Sequence, residues 1–438
     1  MRAKSAVSAT AGSRLIQNAP SLTRKVELFE QAATSVLNAL DRSDKSHAQK
    51  SGAFFTQADI TFIAKHWSLL SPSFRTRYQQ VIAIPTDFQV YVSPSDRFEI
   101  YYTHEGEDSV SSTDTYGYGF NGNWRELVRG ANGVPDYIDE VAWSFDSAWV
   151  MEVERFGFPA PEGFKSLQLN SQRYKVVVDK QWDNYYGITY VGEKISSRET
   201  GFRSHIRIRN EWQGWDINDI IDYESNPEKA VRITAAHEFF HAVQYGMIHE
   251  HTDEQLDYMP LSWIEGTAVL MEELGFDYVN DYTQYLSSFF NHPTDPLLDD
   301  TFDGLTEYKN SILAIYLYEN MYEEPSISFI RDVFMSNYQH PASLDNLLEE
   351  ASQNAGKSWS EVISSFFAQS YFTATRARQG LFIDEADSLN RWEYQPDSLE
   401  TITRTIRPYG MQIFSYGRKS DSPDSLKLII EAQGAGSP

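Results

Sequence analysis

The sequence predicts an α+β protein, with a β-sheet and helices before about Gly246 and a mainly helical half after it. Three observations carry this. From Phe88 apolar residues alternate, a period of two that suits half-buried strands. After Gly275 the apolar residues recur at helical spacing. Between these regions lies one stretch, Thr234 to Tyr245, that is apolar on most sides of a helix and therefore has to be buried. A parallel doubly wound sheet would instead alternate strand and helix along the whole chain.

In chain order, residues 1 to about 20 are small and polar. Leu22 to Leu40 has helical spacing through Val26, Phe29, Ala32 and Val36. A second helix is expected from Gln57 to Leu70, with Ile60, Ile63, Ala64 and Trp67 on one face. These helices form an N-terminal extension, 1–85, that is also a candidate pro-segment. Strands are expected at 88–92, 98–102, 174–178 and 205–209, with a helix from Tyr137 to Phe156. The α+β unit is drawn at 86–255. A helical unit follows at 256–390, with helices expected at 280–290, 307–322, 327–335, 343–355 and 359–375. Strand patterns return at Met411–Tyr416 and Leu426–Glu431, in a β-rich segment at 391–438.

The buried helix carries the chemistry. His237, Glu238 and His241 form H-E-x-x-H. Four residues apart on a helix, the two imidazoles leave one face and can hold one metal ion. Glu238 is then next to the first ligand and within reach of a water on the metal. Asn226 is the expected N-cap, Pro227 suits the first turn, and Gly246 can end the helix. An isolated H-E-x-x-H arises by chance in many chains. A second stretch raises its weight: Ser262-Trp-Ile-Glu-Gly-Thr-Ala-Val-Leu-Met-Glu-Glu273, read as a helix capped by Ser262. A catalytic zinc takes three protein ligands and leaves one position open, and two histidines with a glutamate are a standard set. Glu265 is the expected third ligand. Glu272, two turns further on the same face, can hydrogen-bond a ligand histidine or replace Glu265 as the ligand. A Glu265 carboxylate more than about 5 Å from the point shared by both imidazoles would favour Glu272, since ligand bonds are ~2 Å.

H-E-F-F-H followed by W-I-E-G-T-A resembles the gluzincin metallopeptidases. The closest likeness is to a family of secreted bacterial metalloproteases with H-E-[FY]-F-H-A-x-Q and W-x-E-G-T-A-x-x-M-E-[DE]. The likeness runs from about residue 95 to 380. It implies a zincin-like fold, one catalytic zinc, Glu238 as general base, and a peptide or protein substrate cut internally. Gluzincins often add a tyrosine or histidine from the helical half to steady the oxyanion, and Tyr308 resembles that tyrosine in position. In zincins the strand before the active helix borders the cleft; here that is 205–209, with His205 expected at the surface. The family's loop before the 137–156 helix often suggests calcium. Here Asn132, Asp136 and Asp139 supply too few oxygens to assert a calcium site, and a capped turn is the favoured reading. The resemblance also implies secretion, although the N-terminus has a positive start and no apolar core of a signal peptide.

Composition narrows the partners. Lys+Arg 37 against Asp+Glu 62 leaves a net charge of −25, which repels nucleic acid phosphates. No apolar run reaches the ~20 residues that span a bilayer. With no cysteine, disulfides, thiolate metal sites and cysteine nucleophiles are excluded. Two other classes stay open: a zinc-binding pseudoenzyme or adhesion module, and a zinc hydrolase of a non-peptide substrate. Retention of Glu238 argues against the first, because a purely structural zinc needs no general base.

Overall fold

The computed structural model describes residues 21–40, 55–118, 127–128, 130–163, 172–181, 185–195, 200–217, 221–250, 259–292, 295–298 and 307–390. The protein is α+β with a mixed sheet. Among the described residues the first α-helices are α1 (Leu22–Leu40), α2 (Gln57–Lys65) and α3 (Pro72–Val81). β1 (Gln89–Val92) and β2 (Phe98–Tyr102) follow, then the short pair β3 (Gly117–Tyr118) and β4 (Leu127–Val128). Helix α4 (Asp136–Trp149) runs on into a π-helical turn at Val150–Arg155. β5 (Tyr174–Asp179), β6 (Gly187–Lys194) and β7 (Phe202–Arg209) precede the short pair β8 (Asp216–Ile217) and β9 (Ile221–Asp222). The main sheet has the order β1-β2-β5-β7-β6. β2, β5 and β7 are parallel to one another, and β1 and β6 are antiparallel at the two edges. β5, Tyr-Lys-Val-Val-Val-Asp, is buried throughout, as the continuous apolar run of an interior parallel strand requires.

Helix α5 (Pro227–Met247) lies with α4 on one face of the sheet, where Phe98, Val176, Val178, Ile206 and Ile208 meet Ile138, Phe145, Phe239 and Phe240 in one core. The same core continues into α6 (Leu261–Phe276), α7 (Leu286–Asn291), α8 (Ser311–Asn320), α9 (Ser328–Gln339), α10 (Leu344–Asn354) and α11 (Trp359–Gln369). Strands thus give way to helices after α5, as the change of period predicts. A second core joins the N-terminal helices to the β6 end of the sheet: Phe29, Ile60, Ile63 and Tyr78 pack with Ile188, Val191 and Phe202, and with Tyr245 of α5. Among the described residues no helix is long and apolar enough to cross a membrane.

Several details differ from expectation. The strand at 202–209 is interior, between β5 and β6, and the edge beside α5 is β6, whose Gly187 and Gly192 interrupt its strand pattern. His205 is fully buried on this interior strand and stacks on Tyr190. Helix α3 is weakly apolar and its pattern is hidden by arginines and glutamines. Helix α6 starts after Pro260, which puts Ser262 inside its first turn. Asn226 sits at the N-cap of α5 but turns its amide to the Asp222 carbonyl, and the helix runs one residue past Gly246. The strands expected at 411–416 and 426–431 lie outside the described residues.

Candidate metal centre

Helices α5 and α6 bring three ligand atoms together. His237 Nε2 and His241 Nε2 are 3.0 Å apart. Glu265 Oε2 lies 3.3 Å from the first and 3.4 Å from the second. A tetrahedron with its centre ~2.0–2.1 Å from each corner has edges of about 3.3–3.4 Å, so the two distances to Glu265 match the spacing of ligands around zinc and the two imidazoles stand slightly closer. Glu265 and His241 are fully buried, and the His237 side chain is 12% exposed. Apart from the two imidazoles that face Oε2, neither Glu265 oxygen has a hydrogen-bond partner. A fully buried carboxylate without a donor is costly unless a cation completes it, and this orphaned pair of oxygens is what a bound metal would satisfy.

The far sides of the imidazoles are fixed. Glu272 Oε1 is 2.6 Å from His237 Nδ1 and Gln244 Oε1 is 2.7 Å from His241 Nδ1. The Gln244 amide donates to the Ile264 carbonyl at 2.9 Å and to Thr267 Oγ1 at 3.0 Å, which turns its oxygen toward His241. These acceptors favour a proton on each Nδ1, which in the neutral imidazoles would leave the Nε2 lone pairs facing the shared point. Of the two roles open to Glu272, the geometry assigns it the hydrogen bond to His237. Gly266, next to Glu265, lets α6 approach the turn before α8: a Cβ there would stand 2.9 Å from the Asn310 carbonyl carbon. The Asn310 amide also holds the Ser262 carbonyl at 3.0 Å.

The electrostatics favour a cation. Burial would raise the Glu265 carboxyl, but the imidazoles of His241 and His237 outweigh it and hold it at about 2. Burial would strip the His237 proton, yet Glu265 and Glu272 raise its pKa well above the ordinary range. The carboxylates therefore stabilise positive charge where the metal would sit. Replacing Glu272 with alanine should leave His237, His241 and Glu265 in place and weaken binding of added zinc by about 10–100-fold, measured by competition with a chromophoric chelator.

Glu238 leaves α5 toward β6. Thr189 Oγ1 lies 2.7 Å from its Oε2 and 2.8 Å from its backbone carbonyl. Gly187 is packed so closely that a Cβ would stand 2.9 Å from Glu238 Cγ. Burial raises the Glu238 carboxyl pKa. Tyr308, in the turn before α8, has its ring 6.2 Å from that of His237 and stacked on Tyr285. Burial and the nearby Glu265 push its phenol well up, so it stays a hydrogen-bond donor. His237, His241, Glu265 and Glu272 thus meet directly, and the Tyr308 ring stands beside His237.

Sequence reasoning missed Gln244, Thr189 and Glu152. Gln244 is the final letter of H-E-F-F-H-A-V-Q, so a signal for it was present. Glu152 is buried in the π-helical turn with neither oxygen hydrogen-bonded, and burial pushes its carboxyl up against the opposing pull of His237. In the loop before α4, Asp136 accepts from Thr115 and Tyr116 and Asp139 Oδ1 accepts from Asn132, and these residues form no group with metal-ligand spacing among the described residues. Besides the two histidines and Glu265, one other group among the described residues has metal-ligand spacing, the carboxylates of Glu273, Asp277 and Glu385. No protein-family model and no curated protein matches the chain.

Proposed function

We infer that the protein is a zinc-dependent metallopeptidase, acting as an endopeptidase, with a zincin-like arrangement of sheet, active helix and helical half. The observation that carries this reading is the convergence of His237, His241 and Glu265 at 3.0 to 3.4 Å with Glu238 beside them. The antiparallel edge strand next to the active helix and the helical supply of the third ligand support it. So does the motif pair's resemblance to gluzincins, which also brings secretion into the reading.

Zinc held by these three residues would supply Lewis-acid activation of water and of the scissile carbonyl near neutral pH. Glu238 takes a proton from the attacking water and returns it to the departing amine. Tyr308 donates to the carbonyl oxygen as negative charge builds there. Glu272 and Gln244 keep the imidazoles in one tautomer and one orientation.

The test is metal analysis together with digestion of casein. The purified protein should contain zinc, and its casein digestion should stop with a chelator and return when zinc is restored. A zinc-loaded protein that leaves casein and a broad peptide library intact would overturn the peptidase reading and favour a non-peptide hydrolase or a binding module.

A further inference from the structure

The second core of the molecule contains a closed polar network that ends on Glu238. Gln57 is the first residue of α2 and is almost fully buried. Its side-chain amide meets the backbone of Thr189: the Thr189 N–H donates to Oε1 at 3.4 Å, and Nε2 donates to the Thr189 carbonyl at 3.5 Å. Those two backbone groups point outward from edge strand β6, so the glutamine takes the place of a neighbouring strand. The second Nε2 hydrogen goes to the Tyr245 hydroxyl at 2.5 Å, and that hydroxyl is 2.9 Å from Thr61 Oγ1. Only one orientation of the amide satisfies all these contacts. Tyr245 lies on the active helix, with its ring stacked 6.0 Å from that of His241. The remaining polar atom of Thr189, its hydroxyl, lies 2.7 Å from the Glu238 carboxylate and 2.8 Å from the Glu238 backbone carbonyl, so its single hydrogen is shared between side chain and backbone of the same residue.

Buried polar networks are costly to assemble and rigid once every member is satisfied. An apolar contact would join α2 to β6 at lower cost, so this network is a device for placing groups. Resting on the peptidase reading above, we propose that Thr189, clamped by Gln57, is the positioning residue for the general base Glu238. The N-terminal helices are then a buttress of the site, not a segment to be shed. The hydrogen bonds of Thr189 go to Gln57 and Glu238 and not to His237, His241 or Glu265, so metal binding is separable from its role.

The test compares Thr189→Val, which keeps shape and loses the hydroxyl, with Thr189→Ser, which keeps the hydroxyl. Thr189→Val should keep zinc and KM while kcat falls by about 10²-fold, the size expected when a reacting group is misplaced by ~1 Å. Thr189→Ser should restore kcat. Gln57→Ala, which frees the Thr189 backbone without touching Glu238, should lower kcat in the same direction. Crystal structures of the zinc-loaded variants read the same point without turnover: the Glu238 carboxylate should leave its place in Thr189→Val and keep it in Thr189→Ser. A carboxylate unmoved in Thr189→Val overturns the proposal, whether or not the protein cleaves peptides. So does a Gln57→Ala protein that is faster than wild type, which would mean that α2 obstructs the site. A wild-type protein with no chelator-sensitive proteolysis counts against the peptidase reading alone.

Discussion

Glu238→Gln is expected to yield a folded, zinc-loaded protein whose turnover is lower by about 10²–10⁴-fold, the usual cost of losing a positioned acid–base group. Glutamine keeps the volume of the side chain and its ability to pair with Thr189, but it takes no proton at neutral pH. The carboxylate is not among the three atoms that converge at 3.0 to 3.4 Å, so the metal should stay. The measurement is zinc content and proteolysis of one unstructured substrate on the same preparation. Near wild-type cleavage would remove Glu238 from the mechanism. Loss of zinc would show that it serves as a ligand.

Glu265→Gln should act in the opposite order, abolishing activity because the metal goes first. The substitution preserves size within the core but removes the only anionic ligand of the three, leaving a neutral amide beside two imidazoles. Two protein ligands fall short of the three that hold a catalytic zinc. The loss in affinity should exceed the about 10–100-fold expected of a residue that only supports a ligand, such as Glu272. Equilibrium dialysis against buffered zinc checks this. Because Glu265 has no polar partner besides the two imidazoles, the far-ultraviolet circular dichroism of the variant should match wild type. A variant that binds zinc as tightly as wild type would exclude Glu265 from the coordination shell.

The parts of the centre that were legible in the sequence are those set by local geometry. The four-residue interval between His237 and His241, and the seven-residue interval between Glu265 and Glu272, map directly onto faces of single helices. The layout of strands before α5 and helices after it follows from a change of period. What escaped depends on pairings between distant segments. Gln57 and Thr189 are 132 positions apart, and nothing in either neighbourhood announces the other. β6 was hidden by its glycines, one of which is required by the approach of Glu238. The burial of His205 follows from the interior position of β7, and strand order is not written in any local pattern. Helix α3 lacks a clear apolar stripe and owes its place to Phe74 and Tyr78 packing into the second core.

The cover that α2 lays along β6 has a colloidal consequence. A sheet edge presents a row of unpaired N–H and C=O groups, a template for strands of other molecules and a common origin of aggregation. On one side of this sheet the edge is β1, only four residues long and followed within two positions by Pro94, both familiar ways of blunting such an edge. On the other side β6 is twice that length and rich in β-forming residues, and Gln57 caps its outward groups at Thr189. The contact proposed to align Glu238 therefore also covers the longer edge at Thr189, so one glutamine would serve both the site and the sheet edge.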